Sequence, residues 1–580
     1  FANTPLTEFT IPEGVEEIGH QAFANCTHLT KIHLPSTLKW ICEGGFANSG
    51  LERISFPKSI QRLDEGAFEG CRNLRWVEFP PESGLTRMEM GVFRETGVTS
   101  LVLPYGVEVI APYGFQGQQN LRLLDIPSSV REIGTSAFEG SGLTEITIPE
   151  GVEVLCSRAF SGCERCIKIT LPSTLKEVES RVFQGCLALE SVQFHPTIMP
   201  KLGPNLFADC PNLPTTLRLS EGITTLPPFG FQGQIWLEEI ILPESLEEIG
   251  EGTFAHCTAL RKINLPHKIT RLPPQIFSHC VKLQEISLPE HLTVIGARSF
   301  YESGLERVSL PSHLEEIEEQ GFEGCANLKG LALPQSLVKL GQFALARSGI
   351  SRITLPNKLT TLPTGLCQDC TQLEEISLGD EVAVVESHVF ERCIALKWVT
   401  IPQKVREIGD HTFDGCKGLE TISLPETVER LGAHCLAHCQ SLALVELPNS
   451  LQSLGEGLFS QSGLQKIRIP SDVREIPIHC FYQCYQLAEV DLPEKLTSIG
   501  ERAFQFCGKM AEITLPPQLR RLGEGVFWGS GLLSLALPSS IVEVGASCFY
   551  QGHLKGMVEF PAHLKEMESM AFEAPTAKKA

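Results

Sequence analysis

A phrase of about 23 residues recurs from one end of this 580-residue chain to the other, and nothing else constrains the fold as tightly. One copy, Leu283 to Phe300, reads LQEISLPEHLTVIGARSF, and the shared template is L-x-x-I-x-L-P-x-x-L-x-x-I-G-x-x-A-F-x-x-C. Proline holds the anchor position in most copies, from Pro12 to Pro561. Pro196 is slightly shifted, and Ser220 and Gly379 replace the proline, giving 25 anchors in all. A fixed period in the twenties specifies a solenoid, in which each copy buries its apolar side only against its neighbours. Length alone would argue for several domains. The unbroken period argues instead for one elongated array over residues 1–580, with about 25 repeats of 22–24 residues. Both ends fall inside a repeat: Phe1-Ala2-Asn3 aligns with Phe46-Ala47-Asn48, and the chain stops just after Ala571-Phe572. The chain therefore reads as a segment of a longer protein, or as one whose ends were not recovered.

Within a copy, L-x-x-I-x-L alternates apolar with exposed residues and favours Ile, Val, Ser and Thr, which is strand chemistry. Ile286 and Leu288 should point inward, Glu285 and Ser287 outward. The following proline cannot donate to a ladder and ends the strand. Successive strands should stack in parallel into a long sheet. The second half, as in Leu246-Glu247-Glu248-Ile249-Gly250, should run back along the other side, its glycine supplying a turn or a positive φ. The A-F-x-x-C piece should close the coil as a turn or partial helix, with a stacked phenylalanine spine inside. Short copies replace C-x-x-L with S-G-L, as at Ser49-Gly50-Leu51, which reads as a tighter turn.

Composition narrows the function. Hydrophobic residues make up 42% of the chain, enough for a continuous core. The net charge of −21 disfavours a nucleic-acid partner, which needs clustered Lys and Arg. No run of 18 apolar residues is present to span a bilayer, and no signal peptide is visible. Of 21 cysteines, an odd number, fourteen share one repeat phase. They read as small core fillers rather than disulfides. Free thiols in such number fit a reducing intracellular compartment better than a secreted or cell-surface location.

The phrase resembles the BspA-like, or Treponema-type, leucine-rich repeats, and the resemblance covers almost the whole chain. It implies a mainly β repeat solenoid: a leucine-rich-repeat superhelix or horseshoe with a parallel sheet on one face and turns or short helices on the other. It also implies adhesion or protein binding, with no catalytic residues and no cofactor. Three readings follow: a non-catalytic protein-binding scaffold, alone or as a subunit of a larger assembly; the recognition arm of a larger enzyme or effector; a cell-surface adhesin.

Function should sit on the outward strand positions. Most hold Ser or Thr, ordinary for a solvated sheet. Trp76, Val102, Leu123, Trp398 and Leu444 are large and apolar there, and aromatics are enriched at binding hot spots. Trp76, Val102 and Leu123, with Glu78 and Asp125, fall in nearby copies and read as one candidate partner-binding patch; isolated exposed apolar residues are the plainer alternative. His434-Cys435-Leu436-Ala437-His438-Cys439 has metal-ligand residue types, but Cys439 is the repeat cysteine and Leu436 takes the phenylalanine phase. Cys163/Cys166 and Cys367/Cys370 are C-x-x-C pairs whose members occupy core phases, so filler outweighs redox chemistry. No phosphate-loop, nucleophile-elbow or HExxH motif is present. Two copies are irregular: one with an insertion at Pro80-Pro81-Glu82-Ser83-Gly84, the other proline-rich between Pro196 and Ser220.

Overall fold

The computed structural model describes residues 1–554 and the strand Glu566–Met567; the anchor Pro561 and the terminal Ala571-Phe572 lie outside the described residues. The chain divides into two compact units, Phe1–Lys268 with His279–Lys282, and Ile269–Ser278 with Leu283–Ala580.

In both units most copies make a front strand of two or three residues and a back strand of two, and most of these pair in parallel with the equivalent strand of a neighbouring copy. In the first unit, front strands Arg53–Ser55, Trp76–Glu78, Ser100–Val102 and Leu123–Asp125 form one sheet. Back strands Glu17–Ile18, Trp40–Ile41, Arg62–Leu63 and Arg87–Met88 form another. In the second unit, Arg352–Thr354, Glu375–Ser377, Trp398–Thr400 and Thr421–Ser423 form a front sheet. The back ladder is an addition to the expected single sheet. It forms because L-x-x-I places one apolar residue inward beside an exposed one, a strand period compressed to two residues.

The proline acts at the turn. Its carbonyl accepts from the N–H three residues on, as Ile60 N to Pro57 O at 3.2 Å, while the residue before it still donates across the ladder, as Phe56 N to Glu78 O at 2.9 Å. The closing segment forms successive turns and no helix among the described residues. Two left-handed residues, four apart, prevent a helix from propagating: Gln21 and Asn25 in one copy, Arg298 and Glu302 in another, with φ between 50° and 57°. Alternate N–H groups in these turns donate to the next copy, as Phe68 N to Val92 O at 2.8 Å, so a third hydrogen-bonded side joins copy to copy.

Of the two roles expected for the I-G glycine, a turn or a positive φ, Gly250 and Gly409 do not take the second. The glycine permits close approach: a Cβ on Gly250 would lie 2.3 Å from Pro228 N, and on Gly409 2.6 Å from the Glu386 carbonyl carbon. Gly19, which no earlier copy in this sequence abuts, would meet nothing within 4 Å. The S-G-L glycine has the same logic, a Cβ on Gly50 falling 2.2 Å from Thr27 O.

The phenylalanines form the core spine. Phe46 and Phe68 stack at 5.2 Å, as do Phe68 and Phe93, and each is fully buried. The repeat cysteines line the same interior as free thiols, and each caps a carbonyl of the preceding copy. Cys71 Sγ donates to Phe46 O at 3.0 Å and Cys416 to Phe390 O at 3.1 Å. In short copies Ser takes this phase and meets the next copy's cysteine instead, Ser49 Oγ lying 3.2 Å from Cys71 Sγ. The Pro80–Gly84 insertion is absorbed in a turn (Ser83 N to Pro80 O, 2.9 Å), and pairing continues from Trp76 to Ser100. The proline-rich copy after Pro196 interrupts both ladders.

Candidate functional site

Parallel pairing turns each outward strand position into a column running across copies. In the first unit, Arg53, Trp76, Ser100 and Leu123 occupy one column. A second column holds Ser55 and Glu78, and then Val102 paired with Asp125. The structure thus brings together all five residues singled out there, on one four-stranded sheet. Trp76 is 56% exposed, Val102 59% and Leu123 68%, so none serves the core. Glu78 accepts a hydrogen bond from Ser55 Oγ at 2.8 Å, which fixes its carboxylate beside the apolar residues. A depression of about 750 Å³ borders Trp76, lined by Glu52, Arg53, Asn73 and Arg75. The patch thus combines aromatic surface, two guanidiniums and a shallow recess.

Trp398 and Leu444 lie in the second unit and do not join that patch. Trp398 pairs with Glu375 and Thr421, and Leu444 touches the ladder through a single bridge to Lys466. Both are exposed, but Thr421 occupies the copy between them.

The cysteine motifs belong to the core. Cys163, Cys166, Cys367 and Cys370 are all buried, and burial pushes the Cys166 thiol up to about 12. Cys435 and Cys439 also point inward, with burial raising both thiols. Their histidine neighbours do something else. His388, His411 and His434 stack at 5.0 Å, one per copy. The Asp414 carboxylate accepts from His411 at 2.9 Å and from His438 at 2.7 Å. The bond to Asp414 raises the pKa of His438; despite burial, the two imidazoles hold Asp414 below the ordinary carboxylate value. Burial, aided by His411, lowers that of His434. Among the described residues, no group of three or more His, Cys, Asp or Glu is arranged to hold a metal ion.

Sequence reasoning missed two features. Trp40, 45% exposed, projects from the back ladder between Glu17 and Arg62. Reading outward positions of the second half-repeat as closely as the first would have found it. A recess at Gly330 on the front face of the second unit went unseen because it consists of missing side chains.

No helix among the described residues is long and apolar enough to cross a membrane. None of the curated proteins compared matches the chain. Among solved structures, it is similar to a leucine-rich repeat protein from Bacteroides ovatus, at 23% identity over 80% of this chain and 88% of that one, with a TM-score of 0.31. It is also similar to one from Eubacterium ventriosum, at 19% identity over 56% and 84%, TM-score 0.36. A third, from T. pallidum, shares 27% identity over 37% and 80%, TM-score 0.24. The model of the BspA type leucine rich repeat region matches residues 1–118, 86–214, 200–327, 293–420, 360–488, 407–533 and 475–579. These overlapping matches cover nearly the whole sequence, and the chain is a member of the BspA-type leucine-rich-repeat family.

Proposed function

We propose that this chain is a non-catalytic protein-binding or scaffold module that engages its partner through the outward face of its front strands. The observation that carries the reading is the Trp76 and Leu123 column, flanked by Val102, Glu78 and Asp125. These apolar side chains are exposed by register, have no role in the core, and border a recess lined by Arg53 and Arg75. The sequence period runs through the boundary between the two compact units, with anchors at Pro266 and Pro289, and on that ground we treat residues 1–580 as one repeat array. The test is quantitative affinity capture from the source cells with wild type, a Trp76→Ala/Leu123→Ala double variant and a Trp40→Ala control. A stoichiometric partner kept by wild type and control but reduced about tenfold or more by the double variant supports the reading. Equal recovery with all three excludes this patch.

A further inference from the structure

The front face of the second unit carries a recess of about 1040 Å³ lined by the segment Gly330-Leu331-Ala332-Leu333, in which Gly330 makes an isolated bridge and no strand forms. Glu285 pairs with Arg307 in one ladder, and Gly330 bridges Arg352, which pairs with Glu375, in the next; Arg307 and Gly330 share a repeat phase and line the same recess, so a residue without a side chain has an arginine and then a glutamate on each side. Lys329, next to Gly330 in the chain, adds a third cation to the lining, and Ser309 and Thr354 add hydroxyls.

The fold does not require this glycine. Gly330 has no positive φ, and a Cβ there would meet nothing within 4 Å, unlike Gly250 or Gly409. The local ladder is a single bridge between Gly330 and Arg352. The two arginines face away from a firm hold. Arg307 lies 3.1 Å from Glu285 and Arg352 3.7 Å from Glu375, in exposed pairs of the kind that contribute little and exchange readily. Glu306 is the one acid among the lining residues, and it accepts from Gln284 Nε2 at 3.0 Å.

We infer that this recess binds an acidic, extended peptide segment of a partner, two of whose carboxylates are taken by Arg307 and Arg352. Guanidinium forks match carboxylates bidentately. The two arginines stand two copies apart, roughly 10 Å at one strand spacing per copy. A single small anion engages one of them, whereas acidic side chains spaced along an extended chain engage both. The site deepens the strand-face reading by naming a partner chemistry, and it does not involve the Trp76 patch.

The test is fluorescence anisotropy of a fluorescein-labelled Glu-Ser repeat peptide, with a Gln-Ser peptide and inorganic phosphate as comparisons. The protein carries a net charge of −21, so attraction of an acidic peptide must be local. The Glu-Ser peptide should bind wild type, weaken with added salt, and lose about tenfold or more in affinity in Gly330→Trp and in Arg307→Gln/Arg352→Gln. Circular dichroism checks that each variant is folded; if Gly330→Trp is not, the double arginine variant carries the result. Unchanged affinity in the folded variants, equal binding of the Gln-Ser peptide, or displacement by phosphate at matching concentration overturns the proposal. Trp76→Ala should leave peptide affinity intact, so failure here is distinguishable from failure of the patch.

Discussion

The Trp76 patch of the first unit and the Gly330 recess of the second occupy the same strand register and have opposite surfaces. One raises an indole and a leucine above the sheet; the other removes side chains and frames the gap with arginines. The cores nearby differ as well. Trp76 lies between copies closed by Phe68 and Phe93, which stack at 5.2 Å. After Gly330 the phenylalanine phase is taken by Leu345 and then Cys367, both buried. Positions that hold the coil together change in size, from Phe to Leu to Cys, but stay apolar and buried. Outward positions have no such limit, so neighbouring copies with one backbone can present unrelated chemistry.

The contrast can be broken most forcefully in the core. Phe93→Ala should cost about 3–5 kcal/mol, through lost burial and a cavity between two stacked rings. Cys367→Ala removes only a thiol and should cost about 1 kcal/mol. Urea unfolding followed by circular dichroism measures both, and equal costs would show that the aromatic spine is not what stabilises the first unit.

The glycines come next. Gly409→Ala forces a Cβ to 2.6 Å from backbone and should destabilise by about 1–3 kcal/mol. Gly330→Ala meets open space and should stay within about 0.5 kcal/mol of wild type. Thermal melts of the two variants decide whether Gly330 is free of structural duty.

His438 and His256 should give opposite pH slopes. In the second unit the folded pKa of His438 lies above its ordinary 6.5, because Asp414 holds its proton. Its stabilisation is full below about pH 6.5 and fades as pH rises through the folded value. The lowered Asp414 contributes above its ordinary 3.8, and that contribution is lost as pH falls through its folded value. In the first unit His256 is stacked on His279 at 4.5 Å, and burial, then His279, lowers its pKa below 6.5. Acid therefore favours the unfolded chain there as pH drops below about 6.5. Asp414→Asn should move the His438 titration down and remove its stabilisation near pH 6, as read by histidine NMR titration and melts across pH; an unmoved His438 would refute the pairing.

The smallest expected effect on stability is at the patch. Trp76→Ala and Leu123→Ala should each shift unfolding by less than about 0.5 kcal/mol, since both side chains are mostly in water. A loss well beyond that would make them structural residues and weaken the binding reading.

Much of this molecule is legible from residue order. The period, the buried Ile and Leu of each strand, the phenylalanine spine and the cysteine phase are all repeated demands of one core, so each copy states them again. Tertiary structure decided what depends on the next copy. The glycine of I-G looks like a turn residue in one repeat and proves to be a contact residue only when Glu386 backbone lies against Gly409. The cysteine has a partner only because a phenylalanine carbonyl of the preceding copy lies 3.0 Å from Cys71. Trp76 and Leu123 share a column only through the register with Ser100, which the Pro80–Gly84 insertion leaves unshifted. Gly330 is a recess only because Arg307 and Arg352 flank it. Sequence alone determined the repeat and its interior, because burial selects residue types at fixed phases. Contacts between copies and the chemistry of the surface were decided by stacking, because solvent-facing positions carry no such selection.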